Sequence, residues 1–131
     1  MTHKYIGTKI VTAWAAEKDG QPGYGVKYAD GYTSWSPKEA FEDAYRDIEG
    51  PTQALTFSDA LHMLKLGKKL SRAGWNGKGL WLEYHQPMAD VDLHYIRMSY
   101  PVNSNAYPKG ARVPWLASQT DMLAEDWVVE A

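Results

Sequence analysis

Hydrophobic and polar positions in the first fifty residues predict strands followed by one helix. The stretches "KYIGTKIVTAW" and "GVKYADGYTSW" are rich in β-branched and aromatic residues, and the second contains Asp30-Gly31, a dipeptide typical of hairpin turns. In "SPKEAFEDAYRDI" apolar residues recur at helical spacing, with Ser36 placed to cap the helix and Pro37 at its first position. The pattern predicts a strand, a hairpin and a helix over residues 1–50.

The pattern of residues 55–131 predicts a helix, several strands and a second short helix. In "TFSDALHMLKLG", Thr56 is a cap with Asp59 three residues later, and Gly67 is a C-terminal stop. Strands are predicted in "KKLSRAGW", "KGLWLEYHQ" and "VDLHYIRMSY", a long polar loop in "PVNSNAYPKGARVP", and an edge strand in "WVVEA". Strands and helices segregate, so the fold class is α+β, an antiparallel sheet with a few short helices. We expect residues 1–50 and 55–131 to pack as one compact unit.

Composition favours a protein with a binding surface. Six Trp, nine Tyr and two Phe occur among 131 residues, and Tyr and Trp combine an apolar ring with a polar group. The absence of cysteine excludes disulfides, thiolate metal sites and cysteine nucleophiles. The N-terminus lacks the apolar run of a signal peptide, and no segment has the length of a membrane span. We therefore expect a soluble, cytoplasmic protein without membrane contact.

Charge is unevenly distributed along the chain. Residues 62–112 hold eight Lys or Arg against three Asp or Glu, whereas residues 1–61 and 113–131 are net acidic. A basic middle between acidic ends suits a small anionic ligand better than duplex nucleic acid, which usually needs a broad basic face.

The stretch "RAGWNGKGLWLEY" places three glycines within six residues, one directly before Trp75 and two between Trp75 and Trp81. Asn76-Gly77 is a hairpin signal and accounts for Gly77. It does not account for Gly74 and Gly79, and such glycines indicate a close approach to the backbone.

The C-terminal stretch "PWLASQTDMLAEDW" supports two interpretations. In the structural one, Ser118 caps a helix with Asp121 at its third position, while Met122, Leu123 and Trp127 anchor the core. In the functional one, polar side chains and free N–H groups at the helix start bind a phosphate or a ribose. The pattern alone does not choose between them.

Catalytic and metal sites have weaker support. Asp90, Asp92 and His94 would share one face of a strand, but their spacing does not match a tight metal-ligand motif, and surface polarity explains them better. No nucleophile elbow, phosphate-binding loop or dinucleotide fingerprint is present. We expect a non-enzymatic protein without a cofactor or a metal.

The stretches "FSDALHMLKLGKKLSRAGWNGKGLWLEY" and "PWLASQTDMLAEDW" resemble a small bacteriophage domain that includes Thoeris anti-defence proteins of the second type. The resemblance covers residues 55–131 and is weakest over 88–111. It implies a protein that sequesters glycocyclic ADP-ribose, the signal made by TIR-domain enzymes, without cleaving it. It also implies a homotetramer with pockets between subunits, acting in the cytoplasm of the infected bacterium. Some relatives bind cyclic oligonucleotides of cGAS-like systems as well.

The resemblance and the residue chemistry together give a set of predicted ligand contacts. Trp75 or Trp115 would be the platform for a base. Ribose and adenine edges would be recognised by Asn76, Ser118, Gln119, Thr120 and Asp121, and phosphate by Arg72, Lys78, Arg112 and the backbone near Gly77.

Two alternatives stay open at this point. A hydrolase of the same signals would need a general base, for which Asp121 and His85 are the candidates. A protein that inhibits a host protein by direct binding would depend on the acidic N-terminal segment instead.

Overall fold

The computed structural model describes residues 1–75, 79–104 and 110–130. These residues belong to two compact units, Met1–Tyr45 and Arg46–Ala131. The fold is α+β, as the sequence predicts, with one antiparallel sheet in each unit and three short helices in the described residues.

The first unit is a three-stranded antiparallel sheet followed by a helix. Strands β1 (Thr12–Ala15), β2 (Gly23–Lys27) and β3 (Thr33–Pro37) pair in the order β1-β2-β3, and helix α1 spans Lys38–Ala44. The predicted hairpin around Asp30-Gly31 is confirmed. Of these two residues only Gly31 has a positive φ, +89°, so the connection is not the type I′ turn that such a dipeptide favours.

Two details of this unit differ from the sequence-based prediction. Residues 1–11 form no strand, so regular structure begins at Thr12. Ser36 does not cap α1, because its backbone is held extended in β3 opposite Tyr24. The cap position falls to Pro37, which has no capping side chain, and the helix ends at Ala44.

The second unit is a five-stranded antiparallel sheet covered by a helix. Helix α2 (Phe57–Lys65) precedes β4 (Lys69–Arg72) and a short 3-10 helix (Ala73–Trp75). The remaining elements are β5 (Trp81–His85), β6 (Tyr95–Ser99), β7 (Arg112–Pro114), α3 (Gln119–Leu123) and β8 (Trp127–Glu130). The strand order is β7-β6-β5-β4-β8, so β8 is an edge strand, as predicted.

Helix α2 begins and ends where its sequence predicts. The Thr56 hydroxyl accepts from the Asp59 backbone N–H, the Asp59 carboxylate accepts from the Thr56 N–H, and Arg46 pairs with the same carboxylate. Gly67 follows the helix with φ +89°, the left-handed conformation that glycine adopts most readily.

The core of the second unit lies between α2 and one face of the sheet, the inner face. Its seven buried residues are all 5% exposed or less. They are Leu55, Ala60, Met63, Leu64, Leu70, Leu82 and Trp127. The prediction that Met122 and Leu123 anchor this core is wrong, because these side chains are 38% and 78% exposed. The same prediction is confirmed for Trp127, which is fully buried and whose indole N–H donates to the Asp121 carbonyl of α3.

Candidate functional site

The start of α3 is closed by a capping box. The Ser118 hydroxyl accepts from the Asp121 N–H at 3.0 Å, and the Asp121 carboxylate accepts from the Ser118 hydroxyl and backbone N–H at 2.9 and 3.3 Å. Ser118 and Asp121 thus have the cap contacts of the structural interpretation. Gln119 and Thr120, on the first turn, are exposed to solvent.

Arg72 lies between two carboxylates of the same unit. Its Nη1 donates to Asp121 Oδ1 at 2.9 Å and its Nε donates to Asp126 Oδ1 at 2.8 Å. The side chains of Arg72 and Asp121 are only 16% and 14% exposed. Burial would raise the pKa of Asp121, but the hydrogen bonds from Arg72 and Ser118 outweigh it and lower the pKa below its ordinary value. Arg72, predicted to contact phosphate, is therefore already paired with anions inside the chain.

Gly74 is approached by a carboxylate of its own chain. Its backbone N–H donates to Asp126 Oδ2 at 2.8 Å, and a Cβ at this position would lie 2.8 Å from the same oxygen. Gly79 has φ +72°, a conformation that other residues rarely adopt. Two of the three glycines in this stretch, Gly74 and Gly79, therefore have a local structural cause. The predicted contacts at Asn76, Gly77 and Lys78 lie outside the described residues.

Four aromatic rings meet next to this ionic group. Trp127 is fully buried, and its ring centroid lies 5.5 Å from Trp75, 6.1 Å from Trp115 and 5.7 Å from Phe57. Trp75 and Trp115 meet Trp127 edge to face and remain partly exposed. Trp75 and Trp115, the two predicted base platforms, are therefore packed against Trp127 and retain surface that is exposed to solvent. We call Phe57, Trp75, Trp115 and Trp127 the aromatic cluster.

Arg112, the other described residue predicted to contact phosphate, lies elsewhere in the unit. It pairs with Ser99 across β6 and β7, on the outer face of the sheet, whereas Arg72 shares the inner face with Leu70. Its side chain is 52% exposed, and its Nε lies 3.7 Å from Glu83 Oε1, beyond hydrogen-bond distance. Within one chain, Arg72 and Arg112 are on opposite faces of the sheet.

The outer face carries a polar network that the sequence analysis missed. Glu83 accepts from Arg97 Nη2 at 2.8 Å, from the Ser99 hydroxyl at 2.6 Å and from Trp81 Nε1 at 2.9 Å. Burial would raise the pKa of Glu83, but these hydrogen bonds lower it to about 2. The alternation of polar residues in "WLEYH" and "YIRMS" is the signal that could have placed these side chains on one face.

His85 extends this network toward the β5–β6 connection. Its Nδ1 lies 3.4 Å from Arg97 Nη1, and since arginine only donates, Nδ1 is the acceptor and the proton lies on Nε2. Nε2 then donates to Asp92 Oδ2 at 2.7 Å. Asp90, Asp92 and His94 precede β6 and do not share a strand face. Among residues 1–75, 79–104 and 110–130, no cluster of ligating side chains suits a metal ion.

Comparison with known proteins identifies the family of the second unit. Residues 55–130 match the family described as the Thoeris anti-defense 2-like domain. One relative, Thoeris anti-defense 2 of Bacillus phage SP01, is 31% identical over 81 residues, covering 56% of this chain and 91% of the relative. The chain belongs to the Thoeris anti-defense 2-like family, and this membership supports a role in phage anti-defence. Residues 1–54 lie outside the matched range.

Within the described parts of the chain, no helix combines the length and the apolar character that a membrane span requires.

Proposed function

We propose that this protein binds and sequesters cyclic nucleotide immune signals without cleaving them, and that glycocyclic ADP-ribose is its first ligand. The observation that carries the proposal is the family match over residues 55–130, which includes the aromatic cluster and the start of α3. Its action would take place in the cytoplasm of an infected bacterium. Cyclic di- and trinucleotides are the second ligand class to test.

The aromatic cluster is the strongest local support for a nucleotide ligand. A base that stacks on an indole gains about 1–3 kcal/mol, provided that the ring is held in place. Trp75 and Trp115 are fixed by edge-to-face contacts with the buried Trp127, yet both retain exposed surface. We therefore assign base stacking to Trp75 or Trp115.

The ion pairs of Arg72 with Asp121 and Asp126 suggest which residues hold α3 in place and which contact the ligand. Arg72 already satisfies Asp121 and Asp126, so its guanidinium is poorly placed to pair with a phosphate as well. In our proposal Arg72 and Asp121 fix α3 beside the aromatic cluster, and the exposed Gln119 and Thr120 contact ribose hydroxyls. Phosphate contacts then fall to backbone N–H groups, to Lys78 and to Arg112, the last supplied by a neighbouring subunit.

The geometry favours sequestration over hydrolysis. The Asp121 carboxylate, one candidate general base, accepts from Arg72 and Ser118 and has a lowered pKa, which weakens it as a base at neutral pH. The other candidate, His85, has its Nδ1 lone pair directed at Arg97 and its Nε2 proton directed at Asp92. Neither residue is poised to activate water.

A homotetramer with ligand pockets between subunits would enclose the ligand and cover the exposed leucines near α3. Nanomolar affinity requires about −12 kcal/mol, more than one or two stacked rings supply, so the ligand has to be largely enclosed. Leu116 and Leu123, at 93% and 78% exposure, lie on either side of the α3 start and are available for subunit contacts. A pocket closed by a second chain would cover these side chains together with Trp75 and Trp115.

Ligand capture and recovery tests this proposal. Purified protein is incubated with glycocyclic ADP-ribose and filtered, and free and heat-released nucleotide are identified by mass spectrometry. Sequestration predicts depletion of the free ligand and recovery of the intact compound. Recovery of a linear product would identify a hydrolase, and no depletion would remove glycocyclic ADP-ribose as the ligand.

A pair of matched variants tests the position of the site. If Trp75 is the platform, Trp75→Ala should weaken capture about 5- to 150-fold, because it removes the proposed stacking surface. Trp14→Ala removes a half-exposed indole of the first unit, outside the family match, and should leave capture unchanged. Equal capture by both variants would exclude Trp75 as the platform.

A further inference from the structure

The sheet of the first unit has two unlike faces, and α1 covers one of them. On that face the Tyr24 ring stacks on Phe41 with centroids 4.3 Å apart, and Phe41 stacks on Tyr45 at 4.9 Å. The Tyr24 hydroxyl donates to Glu42 Oε2 of α1 at 2.6 Å. Val26, on the same side of β2 as Tyr24, is 1% exposed. This face is the hydrophobic interior of the unit.

The opposite face presents two tryptophans, and we call it the tryptophan face. Trp14 of β1 and Trp35 of β3 both lie opposite Gly25 of the central strand. Lys27 is on the same face, opposite the exposed Thr12 and Thr33. The strand residues of this face include no carboxylate.

Both indole rings lie flat on the glycines of β2. A Cβ on Gly25 would be 2.3, 2.4 and 2.5 Å from three atoms of the Trp14 ring, and such similar distances mean that the plane of the ring covers the glycine. A Cβ on Gly23 would be 2.4 and 2.7 Å from two atoms of the Trp35 ring. Each ring therefore has one π-face on the backbone and the other directed away from the sheet.

The rings are fixed and still accessible. Trp35 Nε1 donates to the Ala16 carbonyl at 2.8 Å, which sets the orientation of that indole. Trp14 is 47% exposed although its inner π-face is covered. Lys18 Nζ lies 5.6 Å from the centroid of the Trp35 ring, so positive charge is already next to an aromatic surface.

Charge separates the two faces of this unit. On the tryptophan face the exposed Lys27 belongs to β2, and the exposed Lys18, whose chain neighbours are Glu17 and Asp19, lies beside the Trp35 ring. Helix α1, on the other face, carries Glu39, Glu42 and Asp43. A ligand that combines flat apolar rings with negative charge matches the tryptophan face and is repelled by the opposite side.

We propose that the tryptophan face binds single-stranded nucleic acid, with bases stacked on Trp14 and Trp35 and phosphates next to Lys18 and Lys27. Fixed aromatic rings interleaved with cations are the arrangement that binds unpaired bases without sequence preference. A proline-rich peptide would also use the rings, but it has no negative charge to pair with Lys18 and Lys27. This site lies outside residues 55–130 and does not depend on the function proposed above.

The test uses the full chain and a fluorescein-labelled fifteen-residue oligothymidylate, with binding followed by fluorescence anisotropy at 50 and 200 mM salt. Trp14→Ala should weaken binding about 5- to 150-fold, the range for loss of one stacked base. Trp14→Phe retains a ring and should recover much of the affinity. Absence of binding to the wild-type protein at 50 mM salt would overturn the proposal.

Two lysine variants test the same site even if the tryptophan variants fail to fold. Lys27→Ala changes an exposed side chain on the tryptophan face and should lower the slope of log affinity against log salt by about 0.7. Lys38→Ala removes the same charge from α1 and should leave the slope unchanged. Equal effects of the two substitutions would show nonspecific attraction and refute the site.

Two further measurements distinguish this proposal from the proposed function and from peptide binding. Capture of glycocyclic ADP-ribose should be the same in wild type, Trp14→Ala and Lys27→Ala, so failure of one proposal leaves the other intact. Unlabelled decaproline should not displace the oligonucleotide. Displacement that Trp14→Ala abolishes would assign the face to peptides instead.

Discussion

The two units use their tryptophans in different ways. In the second unit Trp127 is fully buried and is surrounded by Phe57, Trp75 and Trp115, next to an aliphatic core. In the first unit Trp14 and Trp35 lie on the glycine backbone of β2. One arrangement joins α2 to the sheet through packed side chains, and the other covers a strand that has few side chains of its own.

This difference has consequences for stability. A side chain enclosed on all sides loses both its transfer free energy and its packing contacts when it is truncated, because the cavity collapses only partly. Truncation of a ring that lies on the surface of a strand exposes the backbone without leaving an enclosed cavity. The second unit should therefore depend on single core residues far more than the first.

The largest expected effect comes from truncating Trp127. Trp127→Ala should destabilise the second unit by about 3–5 kcal/mol, because it opens a cavity next to Leu55 and Leu64. Urea unfolding gives the free energy, and hydrogen exchange followed by mass spectrometry shows in which unit protection is lost. Trp14→Ala is the matched control and should reduce protection only within residues 12–37. A larger loss from Trp14→Ala would contradict the comparison.

The next largest effect concerns the ion pairs of the second unit, whose contribution to the free energy of unfolding depends on pH. Arg72→Ala should cost roughly 2 kcal/mol at pH 7, because it leaves the carboxylates of Asp121 and Asp126 without their charged donor. Both aspartates have lowered pKa values, so this contribution is present above their ordinary pKa of 3.8 and disappears as the pH falls through the lowered values. Urea unfolding of both proteins from pH 7 to pH 3 should show the difference shrinking below pH 4. A difference that grows with acid would exclude this pairing as its cause.

A smaller effect should follow from placing a methyl group under the ring of Trp14. Gly25→Ala forces the indole away, and we expect a cost of about 1–3 kcal/mol that is confined to the first unit. Hydrogen exchange within residues 12–37 measures it. Gly7→Ala is the control, since a Cβ at Gly7 meets no atom within 4 Å. Equal exchange in Gly25→Ala and wild type would show that the ring does not rest on this strand.

The smallest expected effect is local to α3. Ser118→Ala removes the capping hydroxyl and should cost about 1 kcal/mol in the second unit. Thr120→Ala, an exposed change in the same helix without a capping contact, should cost less in the same urea titration. If the two substitutions cost the same, the Ser118 hydroxyl does not cap the helix in solution.

Local sequence signals determined most of the elements of this protein. The capping boxes at Thr56 and Ser118, the stop at Gly67 and the alternation in β5 and β6 act between residues a few positions apart, and their outcome follows from hydrogen bonds that a short segment makes by itself. The prediction that β8 is an edge strand is also confirmed. Ser36 is one exception, because pairing with Tyr24 across the sheet outweighed its capping preference, and residues 1–11, which form no strand, are another.

Tertiary structure alone decided which polar residues meet. Arg72 and Asp126 are 54 positions apart, and Glu83 reaches Arg97 and Ser99 only because β5 and β6 pair in one register. The sequence placed Arg72 and Arg112 together as phosphate contacts, yet strand pairing puts them on opposite faces of the sheet. The sequence pattern indicates which polar side chains are available for hydrogen bonds and ion pairs. Strand order and register decide which of them meet, because they are set by burial of the whole apolar face of the sheet.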